Sequence, residues 1–143
     1  MSSSRTFEPD DNSAYRFPVS VKGVITRRGS VVLLQNEREE WELPGGKLEL
    51  GEDPSECLSR EVEEELGLAV RPDTLIDLWP YHISDRIDVL VVVYACTDLD
   101  PTRAPTISHE HKELRWFDYG SIGELTMPAG YKRSISKAVH GTY

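Results

Sequence analysis

One short segment of the chain carries a full set of local signals for an amphipathic helix. Asp53 suits the N-cap position, Pro54 suits the first helical position, and Glu56 follows three residues after the cap, as in a capping box. Gly67 can adopt the left-handed conformation that commonly ends a helix. The segment therefore predicts a helix from about Pro54 to Leu66.

This predicted helix has one apolar stripe and, beside it, one acidic face. Residues spaced a turn apart form the apolar stripe: Leu58, Val62 and Leu66. Three carboxylates at i, i+3 and i+4 form the acidic face: Glu61, Glu64 and Glu65. Hard divalent cations prefer oxygen ligands, so this face is a candidate cation site.

An acidic helix face is most often simply solvated, and the neighbouring residues decide between the two interpretations. Pro44-Gly45-Gly46 brings the backbone close before the helix, and Glu52 lies in the intervening loop. Arg60 lies one turn before Glu64 and could hold it in place. These neighbours favour a functional face.

The charge of the chain limits its partners. It carries 25 acidic and 16 basic side chains, a formal net charge of -9. Such a field repels polyanions, so we expect neither nucleic acid nor an anionic membrane as a partner. A phosphorylated substrate would need a divalent cation to bridge the like charges. With two cysteines and no long apolar run, the chain is expected to be soluble and cytoplasmic.

The order of the remaining patterns predicts one domain. Residues 1–14 are polar and predict a flexible N-terminal arm, which leaves 15–143 as a single domain. Strands are predicted over about 18–26, 31–35, 41–43, 74–82, 87–97 and 114–117, with a second helix over about 128–139. The first two strands are expected to form a hairpin. This order favours a mixed α/β sandwich over a doubly wound parallel sheet.

The acidic helix also belongs to a longer spaced motif. From Gly46 the chain gives five residues, Glu52, seven residues, and then Arg60-Glu61-Val62-Glu63-Glu64-Glu65-Leu66-Gly67-Leu68. This segment, 23 of 143 residues, resembles a complete Nudix box with every fixed position filled. The strand order is similar to that of Nudix hydrolases over about residues 17–140. The resemblance implies an α/β/α sandwich with a mixed β-sheet.

The resemblance also implies a reaction. Nudix hydrolases cleave nucleoside diphosphates linked to another group, using Mg²⁺ or Mn²⁺ and an attacking water. Its implied metal ligands are Glu61, Glu64, Glu65 and the carbonyl of Gly45 or Gly46. Arg60 would position a glutamate, and Glu52 would orient the loop and helix. The alternative is a binding module that senses a nucleotide or nucleotide sugar without turnover.

The general base has several candidates in this interpretation. Glu110, in His109-Glu110-His111, is favoured because it lies in a loop, whereas Glu113 borders a strand. Glu65 is the next choice, and a solvated Glu110 is the alternative. His109 and His111 are expected to be exposed.

Residues outside the box are candidates for substrate binding. Lys47 could touch a phosphate or be solvated, and Trp41 could stack on a base or pack in the core. Tyr131 could reach the substrate from the last helix or lie on its surface. Ser84 stands where ADP-ribose hydrolases carry a marker proline. The absence of this marker favours a nucleoside di- or triphosphate or a nucleotide derivative, with ADP-ribose or another nucleotide sugar as the alternative class. A homodimer is common in the resembling family.

Overall fold

The computed structural model describes residues 15–141, and the predicted arm over residues 1–14 lies outside them. Within this range the strands are β1 (Val19–Val24), β2 (Thr26–Arg27), β3 (Ser30–Gln35), β4 (Trp41–Glu42), β5 (Gly45–Lys47), β6 (Val70–Ser84), β7 (Ile87–Asp98) and β8 (Glu113–Asp118). The helices are α1 (Pro54–Leu66), a 3-10 helix (Tyr119–Glu124) and α2 (Ala129–His140). The 3-10 helix was not predicted.

The strands form two sheets. The first has the order β5-β1-β7-β6, in which β1 runs parallel to β7 and the other neighbours are antiparallel. In the second sheet, β3 pairs with β2, β4 and β8, always antiparallel. The parallel pair makes the first sheet mixed, as expected.

The prediction that the first two strands form a hairpin is wrong about which strands pair. β1 pairs with β5 and β7, while the hairpin joins the short β2 to β3 in the other sheet. Arg28 and Gly29 close this turn with φ of 49° and 82°, as a two-residue turn of primed type requires. The chain changes sheets at Ile25, which is fully buried. A single apolar run therefore supplies strands to both sheets.

Each of the two α-helices packs against the strands through its own apolar cluster. The cluster under α1 contains Val21, Ile25, Val32, Leu34, Cys57, Leu58, Val62, Leu66, Leu68 and Val70. The cluster under α2 contains Val24, Val31, Leu33, Trp41, Leu43, Ile76, Trp79, Val89, Val91, Val93, Ile122, Met127, Tyr131 and Ile135. Helices thus cover the sheets from both sides, and the predicted α/β/α sandwich is confirmed.

Helix α1 begins and ends where the sequence predicts. Gly67 has φ of 66°, and its N–H donates to the carbonyl of Glu63 at 2.9 Å. The predicted capping box is wrong, because the extended Asp53 makes no side-chain cap hydrogen bond. Pro54, at the first helical position, has no N–H, so the first turn has one backbone donor fewer to satisfy.

Two further boundaries differ from the prediction. Gly45–Lys47, which lies outside the predicted strands, is a strand whose Gly46 pairs with Val21. Strand β6 begins at Val70 rather than Thr74, and bulges interrupt its pairing with β7. Among the described residues, no helix is long and apolar enough to span a membrane.

Candidate active site

The double glycine of β5 lets α1 approach the sheet closely. At Gly45, with φ of 137°, a Cβ atom would lie 2.0 Å from the carbonyl oxygen of Val21. At Gly46, a Cβ atom would lie 2.3 Å from the carboxyl carbon of Glu61. Both distances are far inside van der Waals contact, so the glycines make room for β1 on one side and for Glu61 on the other.

Glu65 is a buried carboxylate at the end of α1. Its side chain is 8% exposed, and its Oε1 accepts a hydrogen bond from the N–H of Gly45 at 2.9 Å. Burial raises the pKa of Glu65 to about 7, against the opposing charge of Lys22. Burial also raises the pKa of Glu61. Near neutral pH, Glu65 can therefore both hold and release a proton.

Arg60 fixes the other carboxylates around the helix. Its Nε and Nη2 donate to the two carboxylate oxygens of Glu52 at 2.7 and 3.2 Å. Its Nη1 lies 3.1 Å from Oε1 of Glu64 and 3.3 Å from Oε2 of Glu61. The predicted Arg60–Glu64 contact is therefore present. The paired hydrogen bonds from Arg60 lower the pKa of Glu52 to about 2.

A buried cation, Lys22 on β1, lies among these acidic groups and was missed by the sequence interpretation. It is 7% exposed. Burial alone would lower its pKa, but the charges of Tyr131, Glu42 and Glu65 outweigh burial and raise the pKa. The sequence did contain a signal for this residue, because Lys22 lies between valines on a largely apolar strand.

Glu42 on β4 was missed as well. Burial would raise its pKa, but Lys22 and hydrogen bonds from His111 and Asn36 lower it to about 2. Glu42 is therefore ionised across the physiological range, beside the partly protonated Glu65. The sequence offered no comparable signal, because a glutamate on a short strand is usually solvated.

The side chain of His111 is largely buried, so its expected exposure is wrong. Its side chain is 9% exposed, and its Nε2 lies 3.1 Å from Oε2 of Glu42 and 3.9 Å from Oε2 of Glu65. The hydrogen bond to Glu42, with the nearby Glu65 charge, raises the pKa of His111 against the effect of burial. His109 is exposed, as expected. Within one His-x-His pair, therefore, only the second residue joins the site.

The two loop candidates for the general base lie in different surroundings. Glu110 is exposed, and its backbone N–H contacts Oγ of Ser108 at 3.4 Å. Glu113 belongs to β8 and pairs with Arg115. The pairing of Glu113 leaves Glu110 as the loop carboxylate for this role, which stays a prediction.

The three predicted substrate-binding residues have different environments. Lys47 is exposed. Trp41 is buried, edge-on to Phe117 with ring centroids 4.7 Å apart, which is the core packing weighed as its alternative. Tyr131 is 3% exposed and packs edge-on against Trp79 at 5.1 Å. A place for Tyr131 on the helix surface is therefore wrong.

The site offers oxygen donors suited to a hard cation. The carboxylates of Glu61 and Glu65 and the backbone of Gly45 and Gly46 converge where β5 meets α1. Nowhere in residues 15–141 are three acidic, histidine or cysteine side chains already gathered as a cation site. Arg60 forms ion pairs with Glu61 and Glu64. A cation that binds these two carboxylates would therefore have to displace the Arg60 guanidinium.

The class of this protein follows from a match to a known family. Residues 16–138 match the profile of the NUDIX domain. Because this match covers most of the chain, the protein belongs to the Nudix family.

Individual relatives agree with the family. A putative 8-oxo-dGTP diphosphatase 2 of Mycobacterium tuberculosis is 29% identical over an aligned length of 137, and the match covers 87% of this chain and 92% of that protein. An ADP-ribose pyrophosphatase of Bacillus subtilis is 28% identical over 121 residues, 81% of this chain and 62% of that protein. Shorter matches span 41% to 50% of the length of other relatives.

A solved structure shares the fold. The MutT protein of Methanosarcina mazei Go1 superposes with a TM-score of 0.75 at 25% identity, over 87% of this chain and 94% of that one.

Proposed function

We propose that this protein is a metal-dependent pyrophosphohydrolase that cleaves the diphosphate linkage of a nucleoside di- or triphosphate or nucleotide derivative by attack of water. The observation that carries the proposal is the meeting of Glu61 and Glu65 with the double glycine of β5. One acidic helix face there adjoins closely packed backbone. Phosphoryl chemistry needs such oxygen donors to hold cations against a polyanionic substrate.

The proposed cofactor is Mg²⁺ or Mn²⁺. The residues that would hold it are Glu61, Glu64 and Glu65 with the carbonyl of Gly45, all oxygen donors as these hard ions prefer. When bound, divalent cations neutralise charge on phosphate oxygens and lower the pKa of water. The elevated pKa values of Glu61 and Glu65 support the assignment, because buried carboxylates of this kind gain from a nearby positive charge.

The remaining polar side chains have proposed roles in positioning and proton transfer. Arg60 orients Glu64 and, through Glu52, ties the loop to the helix. Glu110 is the proposed general base, with Glu65 as the second candidate. A pKa of about 7 supports Glu65, since a general base works best with a pKa near the operating pH. The exposure of Glu110 supports the loop carboxylate as the group that approaches a bound substrate.

The substrate is proposed from the relatives and from one missing marker. The relatives named above act, by their names, on 8-oxo-dGTP and on ADP-ribose. The relative with the fuller coverage of both chains, and Ser84 at the marker position, favour a nucleoside di- or triphosphate; ADP-ribose or another nucleotide sugar is the alternative class. Lys47 is proposed to contact a phosphate, and Trp41 and Tyr131 to shape the nucleoside side of the cleft from within the core.

A panel of nucleotides tests the activity. Purified protein should release phosphate-containing products with Mg²⁺ or Mn²⁺ and none with chelator. Glu65→Gln should lower kcat by at least about 100-fold, as expected for loss of a group that acts on the reacting atoms. Glu63→Gln is the matched control, because Glu63 lies on the exposed side of the same helix.

Two outcomes would contradict the proposal. Wild-type rates for Glu65→Gln would remove Glu65 from the reaction. Tight nucleotide binding without turnover across the panel would support the alternative of a sensing module.

Location and assembly are proposed as well. We propose a cytoplasmic protein, because two cysteines do not make a disulfide framework. We propose no nucleic-acid or membrane partner, because the net charge of -9 repels polyanions. A homodimer is also proposed. Light scattering at assay concentration tests the assembly.

A further inference from the structure

We propose that His111 is a positioning residue of this active site: its imidazole bridges Glu42 and Glu65 and holds the Glu65 carboxylate in the orientation that the reaction uses. The inference rests on the proposed function and adds to it a residue outside the Nudix box.

The loop that carries His111, residues 106–112, is hydrogen-bonded to the rest of the domain at both of its ends. The N–H groups of Thr106 and Ser108 donate to the carbonyls of Leu66 and Glu65 at 2.8 and 3.1 Å. The N–H of Lys112 donates to the carbonyl of Gln35 at 3.1 Å. The loop is thus attached to the end of α1 and to β3, which delivers His111 to Glu65.

The two carboxylate oxygens of Glu65 face two different partners. Oε1 accepts from the N–H of Gly45 at 2.9 Å, and Oε2 lies 3.9 Å from Nε2 of His111. The same Nε2 lies 3.1 Å from Oε2 of Glu42, within hydrogen-bond distance, whereas Oε2 of Glu65 lies at ion-pair distance. A carboxylate with a hydrogen bond at one oxygen and an imidazole N–H near the other has one preferred orientation, as buried site groups need.

The other ring nitrogen argues against a purely structural histidine. Nδ1 of His111 is buried and has no hydrogen-bond partner among the described residues. A buried polar atom without a partner is unfavourable for stability, and an apolar side chain would fill the same space without that cost. The imidazole is therefore better explained by what its Nε2 does for the two carboxylates.

Three variants separate positioning from packing. His111→Ala should lower kcat by about 10- to 100-fold, the usual effect of removing a group that orients a metal-binding residue. KM for the nucleotide should change by less than about 3-fold, because a positioning group acts on the chemical step more than on substrate binding. His111→Gln keeps an N–H donor near the place of Nε2 and should recover most of the rate. His109→Ala, two residues away and exposed, is the matched control.

A spectroscopic measurement reads the bridge without relying on turnover. In imidazole ¹⁵N spectra of the metal-free protein, Glu42→Gln should shift the Nε2 resonance of His111 and leave that of His109 unchanged. Glu65→Gln should shift the His111 resonance as well, and an unchanged His111 resonance in Glu65→Gln would overturn the proposal. So would a folded His111→Ala with wild-type kcat, or a folded His111→Gln no better than His111→Ala.

The same data distinguish this inference from the proposed function. Wild-type protein that shows the bridge but hydrolyses no nucleotide contradicts the proposed function. If wild type and His111→Ala hydrolyse the nucleotide with the same kcat, only the positioning role is contradicted.

Discussion

Glu65, at the end of α1, and Asp77, on β6 beneath α2, are both buried carboxylates, yet they are surrounded in opposite ways. Asp77 accepts hydrogen bonds from Oγ of Ser134 at 2.7 Å, the N–H of Leu78 at 2.9 Å, Nζ of Lys137 at 3.1 Å and Nε of Arg133 at 3.2 Å. Burial raises its pKa, but these hydrogen bonds outweigh burial and the pKa is lowered. Asp77 is therefore satisfied as an anion.

Glu65 lacks such a set of donors, and its pKa is raised to about 7. Its contacts are one backbone N–H and the more distant His111, while Glu61 adds a like charge. Asp77 therefore serves the fold, by tying α2 to the sheet, whereas the positive charge around Glu65 does not outweigh the effect of burial on its pKa. Perturbed carboxylates of this kind are typical of functional sites.

The largest expected effect is on the pH dependence of stability without metal. The pKa of Glu65 rises from 4.5 to about 7 on folding. Its contribution is therefore complete below pH 4.5 and is lost as pH rises through 7, a loss of about 3 kcal/mol. Glu65→Gln should become the more stable protein relative to wild type across that window. Urea unfolding in chelator at pH 4.5, 6 and 8 measures the difference, and parallel pH profiles of the two proteins would contradict it.

Removing Asp77, the other buried carboxylate, should lower stability and leave activity unchanged. Asp77→Ala should lower the free energy of unfolding by about 2 kcal/mol, because Ser134 and the N–H of Leu78 lose a buried partner. Arg133 and Lys137 reach solvent, which limits the cost. The kcat of the folded protein should stay at wild type.

Asp73→Ala is the control for that change, since Asp73 is an exposed carboxylate on the same strand and should cost under about 1 kcal/mol. If Asp77→Ala lost kcat without losing stability, the contrast between Asp77 and Glu65 would be wrong.

A smaller effect is expected at the double glycine. Gly46→Ala would place a Cβ atom against the carboxylate of Glu61, the far end of a flexible side chain. The carboxylate should move, lowering kcat by about 10-fold, or about 1.4 kcal/mol of barrier, with little change in stability. Steady-state kinetics and thermal unfolding measure both quantities. An unaffected kcat would mean that the position of Glu61 is not critical.

The smallest effect is expected for Glu63→Gln. Glu63 is exposed on α1, so its stability should stay within about 0.5 kcal/mol of wild type and kcat should be unchanged. A large loss of kcat would show that the function of the helix is not confined to its acidic face.

Much of the fold could be predicted, and the errors have identifiable causes. Helix α1 was predicted from Pro54 to Leu66 because the proline at its first position, its apolar period and its terminal glycine are all local signals. The partners of β1 were not, because the turn at Arg28–Gly29 joins β3 to the short β2 after the chain has changed sheets. Strand pairing across long sequence separations is not encoded in local periodicity.

Local sequence is enough to predict the acidic helix and its spacing to the glycines and Arg60, since helical geometry places residues three and four apart on one face. Which charges meet that face depends on the tertiary structure. Lys22 comes from β1, Glu42 from β4 and His111 from a loop, with Glu42 and His111 separated by 69 positions. Their burial depends on the packing of two sheets and a loop. Because burial and long-range contact set the pKa of Glu65, the property that most distinguishes the site arises only on folding.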